Sequence, residues 1–414
     1  MDDPLKSFSR HANRRFALSG TSAVSERFPY NKPPPLNDGT LSGCVSRELI
    51  SFAHYDYLGL ARDPRVLDAA KCAIDDFGIG AGASRLVGGE LALHGQLEHG
   101  LADFLGVDGA LALVSGYGTN VSLVAHLLAK GDLILVDEAS HNSIMTGAGL
   151  SRAAVESFRH NDLGHLQAIL AQRRGLHIRV LVIVEGLYSM DGDIPDLPEL
   201  LEICRRHDAW LMIDEAHSIG VLGRTGRGIT EHFAIPPSEV DLIVGTLSKA
   251  FGSCGGFIAA RSEVIRWLRA TLPGFVYSVG LAPPNAAVTL AMLNILETEP
   301  QHLERLRANS RYFLDRVKDA GLDTGNAVGM AVVPIFFETI EQTLSTANAL
   351  LAEGFYAPPI VQIAVPRDAP RIRCFITASH TRDDMGRFVD ALRRLCATPQ
   401  REPDASLTRL TWQR

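Results

Sequence analysis

Residues 209–220 read AWLMIDEAHSIG: five apolar residues, then an acid, then small and polar side chains. A run with no polar interruption has no wet face, so it predicts a strand buried on both sides. Asp214 closes the run, and a carboxylate in that position needs a cationic or hydrogen-bonding partner. The same grammar recurs outward in ALALV (110–114), LILVD (133–137), VLVIVE (180–185), DLIVGT (241–246) and GFIAA (256–260). Helical patterns separate these runs. In ELALHGQLEHGLADFLG (90–106), Leu93, Leu97, Leu101 and Leu105 recur on one face. Buried strands alternating with amphipathic helices predict an α/β fold, a mostly parallel sheet covered on both sides. After Pro283-Pro284 the pattern changes to long helices (285–298, 301–319, 340–353, 381–396) with strands at 328–336 and 371–377. That change predicts a smaller C-terminal α+β domain. The expected division is an N-terminal arm over 1–48, ending in the turn-rich FPYNKPPPLNDGTLSG, a large domain over 49–290, a small one over 291–400 and a tail over 401–414.

A chain of 414 residues can bury cores of that size. Its net charge of −7 offers no basic footprint for nucleic acid. Cysteines 44, 72, 204, 254, 374 and 396 have no paired spacing, which argues for a reducing compartment and against zinc. No apolar run reaches 18 residues, and the first twenty residues lack an apolar h-region, so a cytoplasmic protein with no membrane span is expected.

In open α/β sheets, ligands sit outside the carboxyl ends of the strands. Those ends carry SGYGTN (115–120), DEASHNS (137–143), EGLYSMDGD (185–193), DEAHSIG (214–220) and GTLSK (245–249). SGYGTN opens a helix with small residues, which suits an anion held by free amides, although a tight strand-to-helix turn would look the same. DEAH also occurs in helicases, but their phosphate loop GxxxxGK[ST] is absent. For Asp214, Arg224 or Arg227 would be an ordinary partner, and a protonated ring nitrogen of a cofactor a functional one. Lys249 is one of only six lysines beside 34 arginines. A lysine normally snorkels to solvent; in a glycine-lined, apolar setting it loses charge readily and becomes a nucleophile. His141 and His217 fall at the same rim. A nucleophilic lysine, a buried aspartate, an anion cradle and two histidines together describe a pyridoxal 5′-phosphate (PLP) site.

The chain resembles the α-oxoamine synthases, a family of fold-type I PLP-dependent transferases. The resemblance runs from about residue 50 to 396 and rests on FAHYDYLGLARDPRV (52–66), GAGASRLVGGELALHGQLE (80–98), SHNSI (140–144), EGLYSMDGDIPDL (185–197), LMIDEAHSIGVLGRTGRG (211–228), GTLSKAFGSCGGFIA (245–259) and PRIRCFITASHT (370–381). It implies a seven-stranded-type sheet in the large domain. It also implies that Lys249 binds the cofactor aldehyde as a Schiff base and that Asp214 faces the pyridine nitrogen. His217 and Ser189 would reach the phenolic oxygen, and His141 would stack on the ring. Gly116 and Tyr117 would give amides to the phosphate, with Thr246 and Ser248 adding hydroxyls. Ser278 would reach the phosphate of a second subunit, which implies a homodimer with shared sites. Arg373 would grip the substrate carboxylate, with Ser84 and Tyr55 beside the amino acid. Tyr55 stands where many members carry asparagine, and Ser84 where the glycine-specific members carry threonine.

The implied reaction is a decarboxylating condensation of a small amino acid with an acyl thioester, carried on CoA or on acyl carrier protein, to give an α-amino ketone. EGLYSMDGDIPDLPEL and GTLSKAFGSCGG look closest to members from polyketide and lipid pathways. Two alternatives stay open: an aminotransferase or lyase of the same fold, and a non-catalytic partner subunit of a synthase.

Overall fold

The computed structural model describes residues 49–361 and 369–397, together with Ser9, His11, Ala12 and Phe28. The short strand β1 (Ile50–Ser51) precedes the main sheet. That sheet is built from β2 (Gly109–Leu113), β3 (Leu133–Asp137), β4 (Ala154–Phe158), β5 (Val180–Glu185), β6 (Trp210–Asp214), β7 (Leu242–Thr246) and β8 (Gly256–Ala260). Among the described residues it is seven-stranded, in the order β2-β8-β7-β6-β5-β3-β4. β3 to β7 run parallel, while β8 is antiparallel to both β7 and β2. β2 therefore points the same way as β7. Its carboxyl end shares one sheet edge with those of β3, β5, β6 and β7, and with the start of β8.

The central strands are buried on both faces, β3 and β5 along their whole length. β4 escapes the apolar-run criterion because it is the sheet edge: Ala154, Val155 and Ser157 are exposed. Side chains from six of the seven strands, all but β4, meet in one core, Leu111 and Ile258 with Ile134, Ile183, Met212 and Val244. The antiparallel turn between β7 and β8 needs Gly255, at φ 134°. A Cβ there would lie 2.8 Å from the Leu113 carbonyl and 2.9 Å from Leu247.

Two compact units emerge. The larger comprises Tyr55–Ala308 with Thr377–Ser379. The smaller contains the described residues of Asn309–Ile376 and His380–Arg414 and those before Tyr55. The division falls at 308/309 rather than at 290/291, because the helix Pro283–Thr298 runs unbroken across residue 290. Residues 49–54 also change sides. β1 pairs in parallel with β10 (Phe355–Tyr356), and Phe28 and Phe52 join the core of the smaller unit. That unit adds β9 (Val332–Phe336), β11 (Pro359–Ile360) and β12 (Arg371–Phe375) in an antiparallel sheet. The arm expected over 1–48 is described only at four positions, and the tail over 401–414 lies outside the described residues. Among the described residues, no helix is long and apolar enough to cross a membrane.

Candidate active site

Gly116, Tyr117, His141, Asp214, His217, Thr246, Ser248 and Lys249 line one cavity at the carboxyl edge of the main sheet. Asn120, Ser143 and Glu185 line it too, and sequence reasoning gave none of them a role.

Asp214 is buried, and its partner is not an arginine. Its Oδ1 accepts from the Ala216 N–H at 2.9 Å, and its Oδ2 accepts from Asn120 Nδ2 at 2.7 Å. Both partners donate, so the two bonds fix the carboxylate where it lines the cavity. Glu185 ends β5 in register with Asp214. Burial, with Asp214 alongside, pushes the Glu185 carboxyl up to about 8. It accepts from the His141 N–H at 2.6 Å and the Ser189 N–H at 3.3 Å. Glu185 thus pins the backbone of two site segments. Its neighbour Glu215, buried and pushed up to about 7 by that burial, instead closes the turn by accepting from the Ile229 N–H and the Ser218 hydroxyl.

The anion cradle forms where the helix Gly116–Leu127 begins. Ser115 Oγ accepts from the Gly118 N–H at 3.1 Å, so the amides of Gly116 and Tyr117 stand in the first turn that no helix bond uses. Glycine is required at this packing: a Cβ on Gly116 would come within 2.5 Å of Thr246 Oγ1, and one on Gly256 within 2.7 Å of Gly116 Cα. Thr246 Oγ1 donates to the Gly255 carbonyl at 3.1 Å and lies 2.9 Å from Ser248 Oγ. First-turn amides and two hydroxyls make an anion site.

Lys249 follows β7, with its Nζ 5.8 Å from the centre of the Tyr55 ring. The Tyr55 ring also meets His217 edge-on at 5.9 Å. His217 is buried, and its Nδ1 lies 2.6 Å from the hydroxyl of fully buried Tyr57. With the tyrosine donating, the imidazole keeps its proton on Nε2 and can donate it onward. Tyr57 was missed because its pairing with His217 spans 160 residues and only the fold creates it.

Ser189, Ser278 and Ser84 belong to the same unit but are not among the residues that line this cavity. Ser189 sits four residues past Glu185 and is buried. Ser278 lines a neighbouring hollow with Ser115, Gly118 and Tyr277. Ser84 bridges to Val279 and accepts from the amides of Val87, Gly88 and Gly89. Arg373 belongs to β12 in the smaller unit, its guanidinium 4.5 Å over the Phe375 ring.

PLP presents an anionic phosphate, a basic ring nitrogen, a phenolic oxygen and an aldehyde. The cavity answers them with first-turn amides, a buried carboxylate, an imidazole N–H and a primary amine. The residues present fit that group.

The comparisons with known proteins agree. The family model of aminotransferase class I and II matches residues 47–392. The 8-amino-7-oxononanoate synthase of Fervidobacterium nodosum is 37% identical over 84% of this chain and 89% of its own. The serine palmitoyltransferase of Sphingobacterium spiritivorum is 34% identical over 89% and 92%. The solved serine palmitoyltransferase of Sphingomonas wittichii superposes with a TM-score of 0.84, at 30% identity, over 95% of this chain and 98% of that one. With these relatives and this strand-end cleft, the chain belongs to the aminotransferase class I and II family, as an α-oxoamine synthase.

Proposed function

We propose that the cleft catalyses a PLP-dependent, decarboxylating condensation of a small amino acid with an acyl thioester, giving an α-amino ketone. The observation that carries the reading is the convergence of Lys249, the Asn120-bonded Asp214 and the Gly116 helix start on one cavity. Bound there, PLP supplies an aldehyde for amine exchange and a protonated ring that takes up the electron pair of a carbanion. Lys249 holds the cofactor at rest; once displaced, its amine takes the proton from the amino-acid Cα and returns one to the product. Asp214 keeps the pyridine nitrogen protonated. The His217 N–H steadies the phenolic oxygen, with Ser189 beside it. His141 covers the ring and polarises the thioester carbonyl. Gly116, Tyr117, Thr246 and Ser248 hold the phosphate. Charge develops in the transition state opposite Asp214 and His217, so preorganised electrostatics at these residues is the largest protein contribution.

Arg373, Ser84 and Tyr55 are assigned to the amino acid. The homologues' activities, named for 8-amino-7-oxononanoate and for serine palmitoylation, support an amino acid and an acyl thioester as substrates, on CoA or on acyl carrier protein. A homodimer with shared sites belongs to the proposal. Ser278 stands between Tyr277 and Val279, which are 86% and 60% exposed, and the Ser84–Val279 bridge brings Val87, 81% exposed, to the same strip. Contiguous exposed apolar side chains mark an interaction surface. A cytoplasmic setting is also proposed, resting on the unpaired cysteine spacing; the described cysteines are free thiols.

Borohydride reduction of the PLP-loaded protein, followed by peptide mass spectrometry, tests the reading. The cofactor mass is expected on the peptide containing Lys249 and nowhere else. Labelling at another lysine, or none in protein that shows bound cofactor, contradicts it.

A further inference from the structure

Four polar side chains from three separate segments form a continuous chain along the cavity wall. Asp214 comes from the end of β6, Asn120 from the second turn of helix Gly116–Leu127, Ser143 from the start of helix Asn142–Leu150, and His141 caps that helix. Asn120 Nδ2 donates to Asp214 Oδ2 at 2.7 Å and to Ser143 Oγ at 3.0 Å. Ser143 Oγ lies 2.7 Å from His141 Nδ1, and the Ser143 N–H also donates to that nitrogen at 3.3 Å.

The proton positions follow from chemistry. A carboxylate only accepts, so the NH2 end of Asn120 must face Asp214. Both amide hydrogens are then committed, one to each partner. Asn120 Oδ1 turns away and finds no hydrogen-bond partner among the described residues, a buried acceptor given up so that the amide can bridge. A backbone N–H only donates, so His141 Nδ1 is an acceptor. The Ser143 hydroxyl, receiving from Asn120, directs its own hydrogen to Nδ1. The neutral His141 ring is left with its proton on Nε2.

We propose that Asn120 is a positioning residue that ties the carboxylate under the cofactor ring to the imidazole covering it: it fixes the Asp214 carboxylate and, through Ser143, the orientation and tautomer of His141. The inference rests on the PLP reading of the cavity. Neither Asn120 nor Ser143 touches the reacting atoms; both act through their neighbours.

The test uses the full-length protein loaded with PLP. It reads the cofactor dissociation constant by absorbance and the circular dichroism induced in the cofactor band, which reports how the ring is held. Asn120→Leu keeps the shape and removes both donors. It is expected to weaken PLP about tenfold, the size of losing one hydrogen bond to a buried charge, and to cut the induced signal by at least about half. Ser143→Ala is expected to cut the induced signal alike while holding PLP affinity within about twofold, because only the His141 end is severed. Ser143→Thr, which keeps the hydroxyl, restores the signal. The Asn120→Leu/Ser143→Ala double variant loses no more signal than Asn120→Leu alone, as links of one chain require. A silent Asn120→Leu, a Ser143→Ala with wild-type signal, or losses that sum in the double variant overturn the inference. Should Asn120→Leu fail to fold, the Ser143 pair decides alone. A wild-type protein that binds no PLP contradicts the functional reading itself, whereas a loaded protein with silent variants contradicts only the relay.

Discussion

Asp214 closes β6 as a buried carboxylate. Its place at the end of an unbroken apolar run foretold a buried carboxylate in need of a partner, and the partner is the amide of Asn120. Asparagine gives the acid hydrogen bonds without neutralising it, so the charge stays available to a ring nitrogen. Asp214→Asn removes that charge while preserving volume. Turnover is expected to fall about a hundredfold or more, the scale seen when one electrostatic stabiliser is lost, with measurable cofactor still bound. A rate within a few-fold of wild type would show that another group serves the nitrogen. Sequence reasoning found eight residues that line the cavity, because chemistry demands their types at strand ends. It missed Asn120, Ser143 and Tyr57, which act on Asp214, His141 and His217 through pairings that only the folded chain creates.

At the scale of elements, the buried strands were legible because two covered faces demand continuous apolar residues. β3, β5 and β8 fall on the residues expected for them. The edge strand β4 was not legible, since one exposed side lets polar and small residues in. The loop after β5, which carries Ser189, is held by a device of its own. His160 sits between two carboxylates, Nδ1 2.8 Å from Asp137 and Nε2 3.0 Å from Asp193. The Asp193 carbonyl accepts the Tyr188 N–H, closing the loop. Burial opposes charge on His160, but the two carboxylates outweigh it and hold the imidazolium up to about 10. A histidine whose folded pKa lies above its unfolded one stabilises fully below the unfolded value, about 6.5. That contribution is lost as pH rises through about 10. Thermal unfolding of wild type and His160→Gln should therefore differ most near pH 6 and converge above pH 10. A gap that is constant across this range would mean that the ion pairs contribute nothing.

For the whole molecule, the change in pattern after Pro283-Pro284 suggested a smaller unit from residue 291 on, whereas the two compact units part at 308/309. It misplaced the seam, because a helix of the larger unit continues past it and the start of that unit lies at Tyr55. No periodicity reveals that the strand at 50–51 pairs some 300 residues away, with Phe355 and Tyr356. The exposed strip of Val87, Tyr277 and Val279 predicts a dimer of the 44.8 kDa chain. Sedimentation should give twice that mass, and a Tyr277→Glu/Val279→Glu variant should shift toward monomer and lose cofactor affinity together. A stable wild-type monomer with full PLP binding would contradict shared sites. The central claim, that this cleft joins an amino acid to an acyl thioester, is met most directly by one stoichiometric assay. Purified protein is supplied with PLP, a panel of small amino acids and acyl-CoA or acyl carrier protein thioesters, and CO2 and free thiol are followed together. Equal release of both is expected with a competent pair, and neither in Lys249→Ala. A keto acid formed without thiol release would contradict it and make the protein an aminotransferase.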